Sequence, residues 1–293
     1  MSAQAERRPT PTEAFEVLGH ETRLAIIEEL AKPRRTEWRV AGLPFAELRK
    51  AVGVEDAGTF NYHLQALQDH FVGKLDGEYV LRNAGFYLAG AIRAGTYTER
   101  IEPRRTETDQ ECPEHEAAIE AVYEDGFFRL ECPEHGMISA NALPPGAALG
   151  RTMDDLLALA DRDTRRMVEK IREGSCPHCW GPMETTVPST PSPRLAEGET
   201  TEVLFARFSC ARCGMDAWSP VSIAVLDHPA VVSFYHEHGI DIRKRSTLEI
   251  SFQDSSTGTV LTEDPIRIAI EFELSGDVLR LVLDDELAVV DTD

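Results

Sequence analysis

The sequence has few lysines and no long apolar run. Lysine supplies only 5 of the 30 basic residues, whereas Asp and Glu number 51, which gives a net charge of −21. No apolar run approaches the roughly 20 residues that span a bilayer, and residues 1–12 lack the apolar core of a secretory signal. We therefore expect a soluble, cytoplasmic protein with no membrane partner.

Many carboxylates with few lysines also indicate a halophilic protein. In concentrated salt the Debye length falls to about 3 Å at 1 M, so that self-repulsion of the acidic surface is screened. An ordinary acidic cytosolic protein is the alternative. The acidic excess is uneven, because residues 1–105 hold 15 basic and 15 acidic residues whereas residues 106–293 hold 15 basic and 36 acidic residues. The N-terminal third therefore has no net negative charge, which would repel a polyanion.

Residues 1–111 contain no cysteine, and the six cysteines farther on all lie in C-x2-C or C-x2-H pairs. A disulfide framework would scatter them differently and would need an oxidising compartment. Metal ligation is therefore the better interpretation.

The spacing predicts two sets of four ligands, each holding one Zn²⁺. Two C-x2-C knuckles supply four thiolates, which form a closed tetrahedral structural site. Two C-x2-H pairs supply a Cys2His2 set, which is also chemically sound. The sequence leaves open whether ligands pair across the two sets. The thiolate set is Cys176, Cys179, Cys210 and Cys213, and the mixed set is Cys112, His115, Cys132 and His135.

Neither set predicts catalysis, because four protein ligands leave no coordination position for water. The chain also lacks a nucleophile elbow and a phosphate-binding loop. We therefore expect that the protein is not an enzyme. Four further histidines are expected at the surface or in packing rather than on a metal, namely His178, His228, His236 and His238.

Apolar periodicity predicts an α+β protein that begins with helices. Thr12 is expected to cap the first helix and Asp56 the fourth. Two short strands, 72–75 and 78–81, flank an Asp-Gly turn, which is a strong hairpin signal. Helices followed by a two-stranded wing and a closing helix define a winged helix-turn-helix. The helices are expected over residues 12–18, 21–31, 45–52, 58–71 and 83–94.

Zinc-ribbon modules and a β-rich domain are expected to follow the winged helix. One or two helices over 151–172 would pack or dimerise, a loop over 187–201 would be mobile, and 246–290 would alternate as strands. The expected domains are a winged helix-turn-helix at 1–95, a linker at 96–111, a zinc-binding region at 112–239 and a β-rich domain at 240–293.

The fourth predicted helix has a buried and an outward face. At 100° per residue, Phe60, Leu64 and Leu67 share the buried stripe. The outward face carries amide and phenol groups, which can bond base edges in the major groove of DNA. Gly58 would let free N–H groups at the helix start approach phosphate, and nearby basic residues would position rather than specify. The predicted DNA contacts are Gly58, Thr59, Asn61, Tyr62, His63, Gln65, Arg49, Lys50 and Lys74.

Three segments carry a resemblance to a known family. The stretches EAFEVLGHETRLAIIEEL, FAELRKAVGVEDAGTFNYHLQALQDHFV and GKLDGEYVLRNAG resemble the ArsR-type winged-helix regulators, and most closely the halophilic-archaeal kind with a zinc-binding C-terminal region. The resemblance covers residues 12–95. It places GTFNYHL at the recognition-helix position, which implies that Thr59, Asn61, Tyr62 and Gln65 contact DNA. The family's cysteine-bearing metal-sensing motif is absent from this segment.

These observations predict a sequence-specific repressor or activator that binds double-stranded DNA as a homodimer, with the C-terminal half as a dimerisation or effector domain. The sequence identifies no small-molecule effector. In high salt the release of counterions contributes little to affinity, so recognition should depend on base edges and DNA shape. Two alternatives remain at this point: a zinc-ribbon adaptor that docks on transcription machinery without binding DNA, and a regulator that responds to metal or oxidation.

Overall fold

The computed structural model of the protein describes residues 10–32, 35–36, 39–40, 42–68, 70–112, 115–134, 136–187, 204–254 and 258–293. The chain divides into two compact units, Met1–Arg100 and Ile101–Asp293. Both combine helices with antiparallel sheets, which confirms the α+β class. Nearly all of the loop expected at 187–201 lies outside the described residues. Within the described part, none of the helices is both long and apolar enough to cross a membrane.

The first unit is built from helices and short antiparallel strand pairs. Its elements in chain order are α1 (Pro11–Leu18), α2 (Glu21–Leu30), β1 (Arg35–Thr36), β2 (Arg39–Val40), α3 (Phe45–Val52), α4 (Ala57–Gln68), β3 (Val72–Leu75), β4 (Glu78–Leu81) and α5 (Asn83–Arg93).

The N-cap of helix α1 lies earlier in the chain than the sequence predicts. Thr10, not Thr12, is the N-cap: its hydroxyl accepts from the backbone N–H of Glu13 at 3.3 Å, and the Glu13 carboxylate accepts from the backbone N–H of Thr10 at 2.8 Å. Pro11 then occupies the first turn, where its missing N–H costs nothing. The expectation of a Thr12 cap is therefore wrong, because the cap lies two residues earlier, at Thr10.

The predicted hairpin forms over the expected strands, 72–75 and 78–81. A third segment, at Leu43, pairs with the outer edge of β4. Asp76 and Gly77 adopt φ values of 49° and 89° at the turn, the left-handed geometry that favours an Asp-Gly pair. On the other side of β4, Leu43 and Tyr79 exchange two backbone hydrogen bonds, of 3.1 and 2.8 Å. A Cβ on Gly42 would lie 2.5 Å from the Tyr79 carbonyl oxygen, so only glycine allows this close approach.

One hydrophobic core holds the first unit together. It joins α2, α3 and α4 to the hairpin and to α5, because each helix turns its apolar stripe inward. Its most deeply buried side chains are Ile26, Ile27, Leu48, Phe60, Leu64, Leu67, Val72 and Ala89.

The second unit begins with a four-stranded antiparallel meander. Its strands are β5 (Arg104–Glu111), β6 (Ala118–Glu124), β7 (Phe127–Cys132) and β8 (Gly136–Ala142), in that spatial order. The linker expected at 96–111 is therefore wrong over its second half. Strand β5 pairs with β6, and its polar residues suit the edge of a sheet.

A single long helix, α7 (Met153–Arg172), follows the short helix α6 (Pro145–Ala148). Thr152 and Asp155 form a capping box at the start of α7. The first half of α7 packs Leu156 and Ala160 on the meander, whereas its second half buries Val168 and Ile171 in another core. Helix α7 therefore connects two cores, which supports the packing role expected for 151–172.

The second core is formed by the second half of α7 and by elements that follow it. It contains a three-stranded sheet and a C-terminal four-stranded meander, with short helices between them. The elements are β9 (Glu184–Thr186), β10 (Phe205–Ser209), β11 (Asp216–Pro220), a 3-10 helix (Val221–Val225), α8 (Pro229–Glu237), a 3-10 helix (Ile242–Lys244), α9 (Thr247–Glu249), a π-helical turn (Ile250–Asp254), β12 (Thr259–Glu263), β13 (Ile266–Leu274), β14 (Asp277–Leu283) and β15 (Val289–Thr292).

The predicted inward face of β13 is confirmed, since Ile268, Ile270, Phe272 and Leu274 are all buried. They pack in one core with Phe208 and with residues of α7 and α8. The expected domain boundary between 239 and 240 therefore divides a single core, and the β-rich segment is part of a larger unit.

Candidate metal centres and nucleic-acid interface

Four cysteine sulfurs converge beside β9, β10 and β11. Their Sγ atoms all lie within 4.8 Å of one another, and the Cys176–Cys213 and Cys179–Cys210 pairs are each 3.6 Å apart. Zinc–sulfur bonds of about 2.3 Å place tetrahedral sulfurs about 3.8 Å apart. The arrangement therefore fits a tetrahedral metal ion, and it groups the four thiolates as the spacing predicts.

The backbone folds each C-x2-C pair into the same tight turn. In the first turn the Trp180 N–H donates to the Cys176 carbonyl at 3.0 Å, and in the second the Gly214 N–H donates to the Cys210 carbonyl at 2.9 Å. Trp180 and Gly214 both have positive φ, 59° and 73°. Each turn aims its two sulfurs inward, so the site is formed by the fold rather than by flexible side chains.

The sulfurs influence one another's ionisation. Hydrogen bonds from the backbone N–H groups of Cys213 and Arg212 lower the pKa of the Cys210 thiol to about 7. At Cys213, which is exposed, a hydrogen bond from the Met215 N–H lowers the pKa, but partial desolvation and the three neighbouring sulfurs outweigh it and raise the pKa to about 12. One negative charge is favoured at this site and further ones repel each other, a conflict that a cation would relieve.

The second group lies where the first meander turns. Cys112 and Cys132 are each 1% exposed, and their Sγ atoms lie 3.6 and 3.7 Å from Nδ1 of His115. A metal with bonds of about 2.3 Å to sulfur and about 2.0 Å to nitrogen would give a separation of about 3.5 Å. These three residues could hold a metal ion. His135, the fourth predicted ligand, lies outside the described residues.

The four ligand turns share one backbone feature. In each, the residue four positions after the leading cysteine has a positive φ, between 48° and 83°. In each group the chain runs from a ligand turn through two antiparallel strands to a second ligand turn and then a third strand. The two groups therefore have the same arrangement of turns and strands. In the sequence this correspondence is visible only as repeated C-x2-C and C-x2-H pairs. The four positive-φ residues are Glu116, Gly136, Trp180 and Gly214.

Helix α4 presents the two faces that its periodicity predicts. Phe60, Leu64 and Leu67 are fully buried, which confirms the inward stripe. On the opposite side Tyr62 is 64% exposed, and Gln65 is also exposed. The ring of Tyr62 lies 5.7 Å from the guanidinium carbon of Arg23, a neighbour from α2 that no sequence signal indicated.

The remaining residues predicted to contact DNA differ in how far they are exposed to solvent and free of other hydrogen bonds. Gly58, Thr59, Lys50 and Lys74 are exposed, whereas Asn61 is half-buried. Arg49 is engaged in structure, because its guanidinium donates to the backbone carbonyls of Val54 and Glu55 and holds the turn before α4.

The start of α4 carries its own anion. The carboxylate of Asp56 accepts a hydrogen bond of 2.5 Å from the Thr59 N–H, which confirms Asp56 as the cap. This bond is the main reason that the pKa of Asp56 is lowered, and the Gly58 N–H contributes too. The expectation that free N–H groups at Gly58 would attract phosphate is therefore corrected, since the Asp56 carboxylate already occupies this end of the helix.

His63 is a packed residue rather than a surface one. It is 6% exposed, and its ring lies 4.0 Å from the ring of His20. Its Nδ1 atom is buried and has no hydrogen-bond partner among the residues that the structure describes. Burial is the main reason that its pKa is lowered from 6.5, with smaller effects from His20 and Arg23. The predicted contact of His63 with DNA is therefore corrected.

The other histidines have the surface and packing roles that the sequence predicts. His178 and His236 are exposed. Nδ1 of His228 accepts from the Ala230 N–H at 3.3 Å and caps α8. His238 interacts with the Phe234 carbonyl at 2.7 Å and with the Asp277 carboxylate at 3.1 Å.

The fold and these groups define a mixed α+β protein with two cysteine-containing groups that could each bind a metal ion. A family model described as "Domain of unknown function (DUF7351)" matches residues 109–289, so the chain belongs to that family. A second model, "Domain of unknown function (DUF7347)", matches residues 11–92. No curated protein and no solved structure matches the chain. The first model spans both metal-ligand groups, and the second spans the helices and the hairpin of the first unit.

Proposed function

We propose that the protein is a sequence-specific DNA-binding transcription regulator. The observation that carries the proposal is the outward face of α4, where Tyr62 and Gln65 are exposed beside Thr59 and the half-exposed Asn61. Hydroxyl and amide groups on one helix face suit the donor and acceptor pattern of the major groove. The buried stripe on the other side fixes the helix to the core, which is what a recognition helix needs.

The order of elements supports a winged helix-turn-helix. Helices α3 and α4 are joined by a short turn that Arg49 and Asp56 stabilise, and the β3–β4 hairpin follows directly. The two hydrogen bonds between Leu43 and Tyr79 add an edge segment to the hairpin. Lys50 and Lys74 are exposed near the two ends of this arrangement, and we assign them phosphate contacts that position the duplex.

The charge distribution supports DNA binding by the first unit rather than by the second. The first unit is close to neutral, whereas the acidic excess lies in the second unit. A polyanion is therefore repelled less by the first unit than by the rest of the chain. The exposed aromatic side chains of Phe15, Phe86 and Tyr87 favour self-association through α1 and α5, and we propose that the regulator is a homodimer.

We assign Zn²⁺ to both ligand groups as a structural ion in a ribbon. Four thiolates, or two thiolates with imidazole, are the usual ligands of structural zinc, and the sulfur separations fit its tetrahedron. Zinc bound there would tie each pair of ligand turns together and stabilise the surrounding sheet. The proposal includes no catalytic role, because four protein ligands, with His135 as the fourth in the mixed set, leave the ion no open position.

Selection from a random pool of double-stranded DNA at high salt tests the proposal. Purified protein should enrich one sequence motif, and Asn61→Ala should relax the preference at one position of that motif. Lys74→Ala should weaken binding to all sequences alike, since phosphate contacts carry no base information.

Failure to enrich any motif would exclude sequence-specific DNA binding and favour a zinc-ribbon adaptor that docks on other proteins. Equal loss on every sequence for both variants would refute the assignment of Asn61 to base readout.

A further inference from the structure

A cleft of about 850 Å³ opens beside the second half of α7. Its walls are α7, the 3-10 helix at Val221–Val225, α8 and the 3-10 helix at Ile242–Lys244. This volume lies within the range of sites that hold small molecules. The cleft is separate from both metal-ligand groups, because none of their described ligands lines it.

The base of the cleft is apolar. Val168, Ile223, Leu226 and Ile242 come from three different walls, and each is less than 8% exposed. Val232 of α8 lies at the mouth and is 43% exposed. An apolar group that entered the cleft would itself be removed from water and would cover the exposed part of Val232, which favours binding.

Arginines and carboxylates line the cleft in equal numbers, beside His236. Three arginines and three carboxylates line it. A site with balanced charges attracts neither a plain anion nor a plain cation strongly, whereas a zwitterion matches both signs at once. The six residues are Arg165, Arg172, Arg243, Glu169, Asp227 and Asp241.

One ion pair at the mouth has unused hydrogen-bonding capacity. Nη1 of Arg172 donates to Oδ1 of Asp227, and in the described part of the chain this is the sole side-chain hydrogen bond that either group makes. The other N–H groups of Arg172 can therefore donate to a ligand, and the second oxygen of Asp227 can accept from it, without breaking the pair. Arg165 and Arg243 are already committed, to Asp161 and Asp241 respectively.

We propose that this cleft binds an α-amino acid with an apolar side chain. The carboxylate would lie against the guanidinium of Arg172, the ammonium group against the carboxylate of Asp227, and the side chain on the apolar base. Arg172 and Asp227 thus bind the two charged groups of the amino acid, and the apolar base of the cleft selects for hydrophobic side chains.

The cleft is connected to the thiolate group through the end of α7. Arg172 is the last residue of α7, and Cys176 follows after a turn in which the Ser175 N–H donates to the Lys170 carbonyl at 3.1 Å. An amino acid held by Arg172 would therefore stabilise the segment that presents the first ligand turn. The site gives a regulator an effector, but its occupancy does not depend on whether the chain binds DNA.

Calorimetric titration of the full-length, metal-loaded protein tests the site with four probes. L-Leucine should bind, whereas 4-methylpentanoate, which lacks the ammonium group, 3-methylbutylamine, which lacks the carboxylate, and glycine, which lacks the side chain, should each bind at least about tenfold more weakly. Absence of leucine binding at millimolar concentration would overturn the proposal. So would equal binding of either single-charge analogue, because it would show that one charge suffices.

Two variants with matched controls locate the binding. Arg172→Gln should weaken leucine binding at least about tenfold, whereas Arg162→Gln, at an exposed position of the same helix outside the cleft, should leave it unchanged. Val232→Trp should block the cleft, whereas Ser233→Trp on the exposed side of α8 should not. Leucine binding that survives both Arg172→Gln and Val232→Trp would place the ligand elsewhere and refute the assignment.

Discussion

Leu64 and Gln65 are adjacent on α4 and should respond to substitution in opposite ways. Leu64 is fully buried in the core of the first unit, and Leu→Ala changes at such positions cost about 2–5 kcal/mol through lost transfer energy and the remaining cavity. Gln65 is exposed, so Gln65→Ala should change stability by less than about 0.5 kcal/mol.

The effect of Gln65→Ala should instead appear in DNA binding. A bidentate amide contact to a base contributes about 1–3 kcal/mol of discrimination, which corresponds to roughly a 5- to 150-fold loss at the preferred base pair. Leu64→Ala should lower affinity only as far as it unfolds the first unit.

Hydrogen exchange of the full-length protein, followed by mass spectrometry, measures the stability of α4 without separating the two units. A loss of 2 kcal/mol raises the exchange rate of globally protected amides about 30-fold. Leu64→Ala should therefore accelerate exchange in α2, α4 and the hairpin together, because they share one core, whereas Gln65→Ala should leave it near wild type. Equal acceleration by the two variants would refute the assignment of a buried and an outward face.

Two further predictions concern the metal groups and His63. The purified chain should contain two equivalents of zinc by elemental analysis, and Cys176→Ser should remove one equivalent while Cys112→Ser removes the other; loss of both ions from either variant would contradict two separate sites. Because burial lowers the pKa of His63 from 6.5, the unfolded state binds its proton first, so stability should be complete above about pH 6.5 and should fall as the pH decreases below that value. His63→Gln should flatten this part of the stability profile in urea titrations, and an unchanged slope would show that another group is responsible.

Local signals in the sequence are sufficient to predict several features of the structure. The stripe of Phe60, Leu64 and Leu67 follows from helical periodicity alone, and the hairpin follows from the Asp-Gly pair between short apolar runs. The two ligand groups follow from C-x2-C and C-x2-H spacing, since a two-residue gap brings both ligands to one side of a tight turn.

Other features depend on residues that are distant in the chain. Strand β5 is polar on both faces, so it has no period-2 apolar signal, and its identity comes from pairing with β6. The single core formed by α7, α8 and β13 likewise depends on packing across more than 100 residues.

The burial of His63 could have been found from the sequence. At 100° per residue His63 lies about 40° from Leu67, on the margin of the buried stripe. Its partner His20 is the N-cap of α2, and that contact has no local signal. The start of α4 also has a local signal, because a capping carboxylate at Asp56 itself implies that the N–H groups there are occupied and less available to phosphate.

The affinity of the Tyr62→Ala variant for the DNA motif enriched by the wild-type protein tests the central claim most directly. Tyr97→Ala is the matched control, because Tyr97 is 68% exposed and Tyr62 is 64% exposed, and Tyr97 follows α5 rather than lying on α4. In fluorescence anisotropy at high salt, Tyr62→Ala should raise the dissociation constant about tenfold or more and Tyr97→Ala should leave it unchanged. Equal dissociation constants for the wild-type protein and Tyr62→Ala would contradict the assignment of α4 as the helix that reads DNA.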